Sequence, residues 1–202
     1  MGEFYLKTPI TEEAVRRLKV EDSVYVSGTI VTARDEAHLK ALELYEDGKT
    51  LPVNLEGVGV FHCGPVMKQS NIGEWTVVAA GPTTSTRMEI FEDEFIKAFH
   101  PRIIIGKGGM GSRTTKACQE EACVYGAFTG GAALLAANRI TKVKDVFWLE
   151  ELGMPECLWV YEVKDFGPLV IAIDSHGNNL FAQVNNHVRE NVTEVYKQLN
   201  II

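Results

Sequence analysis

The sequence has no basic block, no membrane-length apolar run and too few cysteines in too scattered a pattern to form a metal knuckle. Each absence removes a class of function. A formal net charge of −7 on 202 residues leaves no electrostatic footprint for nucleic acid. The longest run of apolar and small residues, "GGAALLAA" (130–137), is far shorter than the ~20 residues of a bilayer span. The opening stretch "MGEFYLKTPITEEAVRRLKV" lacks an apolar signal core and carries acidic residues. Leu6 stands where a myristoylation motif wants Ser or Thr. These features lead us to expect a cytoplasmic protein with no membrane and no nucleic-acid partner. The four cysteines, Cys63, Cys118, Cys123 and Cys157, form no CxxC pair. They read as buried thiols, and no metal site is expected from this chain alone.

What remains has the composition of an ordinary globular protein, at 46% hydrophobic and 23% charged. Thr11 reads as the cap of a short helix with Glu12 and Glu13 in its first turn. Strands are expected at 23–33, 57–63, 74–81 and 102–106. Helices are expected at 34–47, with Ala37, Ala41, Leu44 and Tyr45 on one stripe, and at 92–99, 112–123 and 130–139. The apolar core of "RIIIG" (102–106) suits a strand covered on both faces. A further strand is expected near "DVFWL". "CLWVYEVKDF" and "PLVIAID" look like two paired strands divided at Gly167-Pro168, "SHGNN" like a turn, and the tail from 187 like an exposed amphipathic helix. No linker or repeat stands out, so residues 1–202 read as one α/β domain.

Three expected strand ends carry polar groups: "TARDEAH" with Arg34, "GPTTSTRM" with Thr83, Thr84 and Arg87, and "IIIGKGGMG" with Lys107. In open α/β sheets ligands gather at such ends, where helix N-termini offer free N–H groups. Each cation read singly is an ordinary surface charge beside a turn. Together they suit a carboxylate ligand, gripped by the arginine forks and a lysine point charge. The two threonines read equally well as helix caps or as reactive hydroxyls. "GKGGMG" also spells the dinucleotide fingerprint, but no acidic residue follows at the required distance, around 124–131. His62 reads as a satisfied core histidine rather than a ligand, His176 as a solvated turn residue, and the acids at 92–94 as surface charge favoured by the helix dipole.

Taken in order, "KTPI", "VYVSGTIVTARDEAH", "GVFHCGP", "GPTTSTRME", "IIIGKGGMG", "ELGMPE" and "FGPLVIAID" resemble the β subunit of class I iron–sulfur fumarate hydratase. The L-tartrate dehydratase β subunit belongs to the same group. The resemblance covers roughly residues 5–182. It implies a swivelling β/β/α domain and a partner α subunit carrying a 4Fe–4S cluster that this chain does not ligate. The substrate it implies is a four-carbon dicarboxylate, and the assembly an α2β2 complex or one with β–β contacts. It further implies that Thr83 abstracts a proton, while Arg34, Thr84, Arg87 and Lys107 bind substrate. Thr86 departs from what relatives often have, which leaves substrate identity open. Apart from the resemblance, a non-catalytic anion- or nucleotide-binding module is the other reading of the glycine-rich turn.

Overall fold

In the computed structural model, which describes residues 1–201, the chain opens with β1 (Glu3–Lys7), α1 (Glu12–Arg16), β2 (Ser23–Thr32) and α2 (Asp35–Glu46). Next come β3 (Gly59–Phe61), β4 (Val66–Gln69), β5 (Trp75–Ala79), a 3₁₀ turn (Ser85–Ile90), α3 (Glu92–Phe99) and β6 (Ile103–Gly106). The second half holds α4 (Ser112–Glu120), β7 (Val124–Ala127), α5 (Ala133–Arg139), β8 (Ile140–Phe147), α6 (Leu149–Leu152), β9 (Leu158–Ile173) and α7 (Leu180–Gln198). The fold is therefore mixed α/β, as the sequence implies.

The main sheet has seven strands in the order β1-β2-β3-β6-β7-β9-β8. β1, β2, β3, β6 and β7 run parallel in adjacent pairs. β9 runs antiparallel to both β7 and β2, so β2, β3, β6, β7 and β9 close into a ring. Closure removes the edges of those strands from pairing with other chains. The carboxyl ends of β2, β3 and β6 lie side by side.

Alternation along the strands feeds two cores. Ile103 and Ile105 join Val24, Phe61, Trp159 and Phe166 in one, shared with α1 and α5. Ile104 joins Val31, Val60, Tyr125 and Val160 in the other, under α2, α3 and α4. Because successive strand side chains point to opposite faces, a wholly apolar "III" is what such a doubly covered strand requires. Each fully buried isoleucine contributes roughly 1.5–3 kcal/mol.

Several boundaries differ from the sequence reading. The expected pair of strands around Gly167-Pro168 is one sixteen-residue strand, β9. Its ladder with β2 steps from Phe166 to Leu169, passing over the two residues. Proline has no N–H to give a ladder, and that step asks for none. The apolar run at 74–81 is not buried in the main sheet. β5 pairs with β4 in a separate two-stranded sheet and exposes alternate residues. On α2 the buried face is Ala37, His38, Ala41 and Leu42, while Tyr45 is 55% exposed. Thr11 caps α1 as expected, its hydroxyl accepting from the Ala14 N–H at 3.2 Å.

Candidate active site

The "GPTTST" segment lies across the carboxyl ends of β3 and β6. The Thr83 N–H donates to the His62 carbonyl at 2.7 Å, and the Lys107 N–H donates to the Thr83 carbonyl at 3.2 Å. The Ser85 N–H donates to the Lys107 carbonyl at 3.0 Å. Thr84 and Lys107 form an isolated parallel bridge, and Cys63 pairs with Pro82. Thr83, Thr84 and Lys107 are thus set by backbone bonds, which leaves their side chains free. Thr84 occupies the cap position of the 3₁₀ turn, yet neither it nor Thr83 makes a side-chain cap hydrogen bond. The capping reading of the two threonines is therefore corrected. Lys107 is half-buried and has no ion-pair partner among the described residues.

Arg34 sits where β2 passes into α2, and its position depends on a loop far along the chain. Its Nη2 lies 3.1 Å from Glu156 Oε1 in the "ELGMPE" loop, with both side chains largely buried. Glu156 Oε2 also accepts from the Glu36 N–H at 3.2 Å, at the start of α2. That loop is tied down by the Trp159 indole, which donates to the Met154 carbonyl at 2.9 Å. Gly64 lets the guanidinium through: a Cβ there would stand 2.5 Å from Arg34 Nη1 and 2.8 Å from the Pro155 carbonyl oxygen. Arg34 Nε is buried without a partner. A buried, unpaired donor calls for an acceptor, and a carboxylate entering from the sheet edge could supply one.

Arg87 is placed differently from the expectation. Its fork faces Asp35, the neighbour of Arg34, with Nε to Oδ1 at 3.1 Å and Nη2 to Oδ2 at 2.6 Å. This hydrogen bond from Arg87 holds the Asp35 carboxyl below its ordinary range and raises Arg87 in turn. Arg87 therefore joins the same patch, but its bidentate face is already occupied. Thr86 donates to the Gly109 carbonyl at 2.7 Å and lines a groove of about 730 Å³. Thr86 is the only residue that groove shares with the "TTSTR" segment, and Arg34 and Lys107 do not line it.

Behind the patch lies a cluster the sequence reading largely missed. Glu92, read as surface charge, is fully buried between His38 and His62. Its Oε2 is 3.1 Å from His62 Nε2 and 3.5 Å from His38 Nε2. His38 Nδ1 reaches the Arg34 carbonyl at 2.8 Å. His62 Nδ1 contacts Ser85 Oγ at 2.8 Å, and the Tyr125 hydroxyl lies 3.0 Å from both Ser85 Oγ and the Gly108 carbonyl. Gly106 makes room, since a Cβ there would collide with Ser85 Oγ. Burial works against an ionised Glu92, but the two imidazoles outweigh it and lower its carboxyl to about 2. Burial lowers His62, and Glu92 offsets this in part. His62 is thus a core histidine, as expected. The i,i+4 spacing of Arg34 and His38 in "RDEAH" was the one local sign of the cluster. Its ligand-capable atoms lie within 4.8 Å of one another, near enough to hold a metal ion.

The glycine-rich turn does not read as a phosphate cradle. Glu89 fills the start of α4, its Oε2 accepting from the Gly111 N–H at 2.6 Å and its Oε1 from the Arg113 N–H at 3.0 Å. A phosphate would meet that carboxylate where the dinucleotide fold offers free donors. The cysteines also bear out their reading: all four are free and buried. Burial pushes the Cys63 thiol up and takes Cys157 to about 11. No three of them converge among the described residues, so this chain does not fit an iron–sulfur cluster, which wants three or four thiolates in one place. No helix among the described residues is long and apolar enough to cross a membrane.

Comparison with known proteins identifies the family. The chain is 45% identical over 178 residues to the L(+)-tartrate dehydratase subunit beta of Escherichia coli (strain K12), covering 88% of this chain and 86% of that one. It is 46% identical over 191 residues to a Methanocaldococcus jannaschii protein provisionally named L(+)-tartrate dehydratase subunit beta, covering 95% and 97%. A Geobacillus stearothermophilus protein with the provisional name fumarate hydratase class I is 42% identical over 189 residues, 94% of this chain but 35% of that protein. The family model described as Fumarase C-terminus matches residues 2–184 and so spans every residue of the patch. With nearly its whole length matched, the chain belongs to the fumarase C-terminus family.

Proposed function

We propose that this chain is the β subunit of a hydro-lyase that interconverts fumarate and L-malate, working in the cytoplasm with a cluster-bearing α subunit. The observation that carries the reading is the convergence of Arg34, Thr83, Thr84 and Lys107 on one sheet edge, with a buried guanidinium nitrogen and two hydroxyls left unpaired. Arg34 and Lys107 supply positive charge for two carboxylates, and Thr84 adds a hydroxyl donor. Thr83 is assigned the proton at the carbon next to a carboxylate. In dehydration an ionised Thr83 takes that proton and the C–H electron pair becomes the double bond of fumarate. The hydroxyl leaves with its C–O pair and takes a proton from a general acid of the complex to depart as water, and hydration reverses each transfer. A threonine hydroxyl does this only in a desolvated site with cations nearby, and here Lys107 follows it in the ladder. Arg87 acts through Asp35, keeping the start of α2 and hence Arg34 in place.

Half of such a site is missing from this chain. Its cysteines do not fit a cluster, so the 4Fe–4S group of the proposal belongs to the α subunit, where it would supply the Lewis acid for the leaving hydroxyl. An α2β2 assembly is part of the same proposal. A second reading, dehydration of L-tartrate, is favoured by the relatives that match this chain over nearly their full length, which carry that name. Co-expression with a cluster-bearing α subunit and anaerobic assay on fumarate, L-malate and L-tartrate tests both. Turnover of fumarate and malate is expected. Turnover of tartrate alone selects the second reading, and turnover of neither by the loaded complex defeats both.

A further inference from the structure

The His38–Glu92–His62 cluster is short of one positive charge. The Arg34 carbonyl can only accept, so His38 Nδ1, 2.8 Å away, must carry a proton. In a neutral ring His38 Nε2 would then present its lone pair to Glu92 Oε2 at 3.5 Å. His62 has no such conflict. Its Nδ1 can accept from Ser85, and its Nε2–H can point to Glu92 at 3.1 Å. No other described group hydrogen-bonds to His38 Nε2, His62 Nε2 or either Glu92 oxygen, and all three side chains are fully buried. A buried carboxylate needs a compensating cation.

Two cations could fill the role, and charge decides between them. A divalent metal held by two neutral imidazoles and one carboxylate would leave a surplus positive charge with no access to water. A proton on His38 Nε2 leaves none. The His38 ring also lies against Phe95, with centroids 4.2 Å apart, and near Phe91 at 5.4 Å. Aromatic faces of this kind favour a cation.

We propose that His38 is held as an imidazolium by Glu92 and is the positioning residue that sets Arg34 in the substrate clamp. The cluster reaches each part of the patch: His38 holds the Arg34 carbonyl, the His62 carbonyl takes the Thr83 N–H, and Ser85 takes the Lys107 carbonyl. The charged and titratable groups around it are Asp35 and Arg34 at the start of α2, Tyr125 on β7 through Ser85, Cys118 on α4, and Glu89 beyond it. The positioning role rests on the proposed hydro-lyase reading, but the protonation of His38 does not.

Nitrogen-15 spectra of the labelled full chain, free of any partner, test the protonation directly. Near neutral pH both ring nitrogens of His38 should carry protons, while His62 carries one. Both rings face the same Glu92 oxygen, so in Glu92→Gln an amide nitrogen in its place can donate to both Nε2 atoms. His62 then turns its proton to Nδ1 and Ser85, and His38 should become a one-proton ring. A neutral His38 in the unaltered chain, or one metal ion per chain by elemental analysis, overturns the inference. In the assembled, cluster-loaded complex, Glu92→Gln should raise KM for the dicarboxylate about tenfold, the scale of one lost charged hydrogen bond. Its kcat should stay within about twofold, because the chemistry is untouched. An unchanged KM in the variant defeats the positioning role. If no dicarboxylate is turned over at all, the spectra still decide the protonation.

Discussion

Arg87 and Asp35 meet fork to fork, 52 residues apart in sequence, with contacts of 3.1 and 2.6 Å. The pair ties the 3₁₀ turn after the two threonines to the first residue of α2, so Thr83 and Arg34 share one support. Arg87→Lys keeps the charge but loses the bidentate geometry. In the assembled enzyme kcat/KM should fall by about 10–150-fold, matching a charged hydrogen bond of about 1.5–3 kcal/mol. Asp35→Asn should reproduce most of that loss. An Asp35→Asn enzyme with unchanged kcat/KM would mean that Arg87 works independently of it.

Thr83→Val keeps the shape and removes the hydroxyl. The backbone N–H and carbonyl of Thr83 make its ladder bonds, and its hydroxyl caps nothing, so stability should be preserved. We expect kcat to fall by about 10²-fold or more, the scale of a positioned acid or base, with the melting temperature essentially unchanged. Steady-state kinetics and calorimetry on the same preparation check this. A variant with a lower melting temperature but normal kcat would remove Thr83 from the chemistry.

Gly64→Ala should injure the clamp without touching a charged group. The added Cβ would stand 2.5 Å from Arg34 Nη1 and 2.8 Å from the Pro155 carbonyl oxygen. The carbonyl belongs to the backbone and yields little, so the guanidinium moves. KM for the dicarboxylate should rise about tenfold or more, since a displacement of about 1 Å costs an enzyme as much as 10²-fold. Kinetics across substrate concentrations distinguish this from loss of kcat.

The chain alone should bind no stoichiometric iron and show no hydratase activity. Its thiols are buried and dispersed, and burial pushes Cys63 and Cys157 away from the thiolate form that metals need. Anaerobic reconstitution followed by iron analysis and a visible spectrum checks this. A cluster spectrum on the isolated chain would refute it.

Acid should destabilise the fold in two stages. His62 has its folded value lowered, so the unfolded chain takes up the proton first and stability falls as pH drops below the ordinary value of 6.5. Glu92 is also lowered, from 4.5 to about 2. Its contribution is full above the ordinary value and is lost as pH falls through that window. Melting temperatures from neutral pH down to about 2 should show both stages. Glu92→Gln should flatten the second, the window in which the carboxylate is titrated.

The chain's own residue order was enough for what depends on local chemistry. The unbroken "III" called for a strand covered on both faces. The polar groups placed just after apolar strands pointed to a site at the strand ends, and the scattered cysteines argued against a cluster. Arg34, Thr83, Thr84 and Lys107 could be placed at strand ends this way because a strand end and the turn beyond it are sequence neighbours. What lay beyond reach were relationships across the fold. Glu156, 122 residues after Arg34, holds its guanidinium, and β9 was divided at a proline that its ladder simply steps over. Glu92 looked like a solvated charge at a helix start, because a helix dipole favours an acid there whether it is exposed or buried. Only packing α3 against α2 and the end of β3 puts that carboxylate between two imidazoles. The energy of such a group depends on what surrounds it in space, and residue type and spacing do not carry that information.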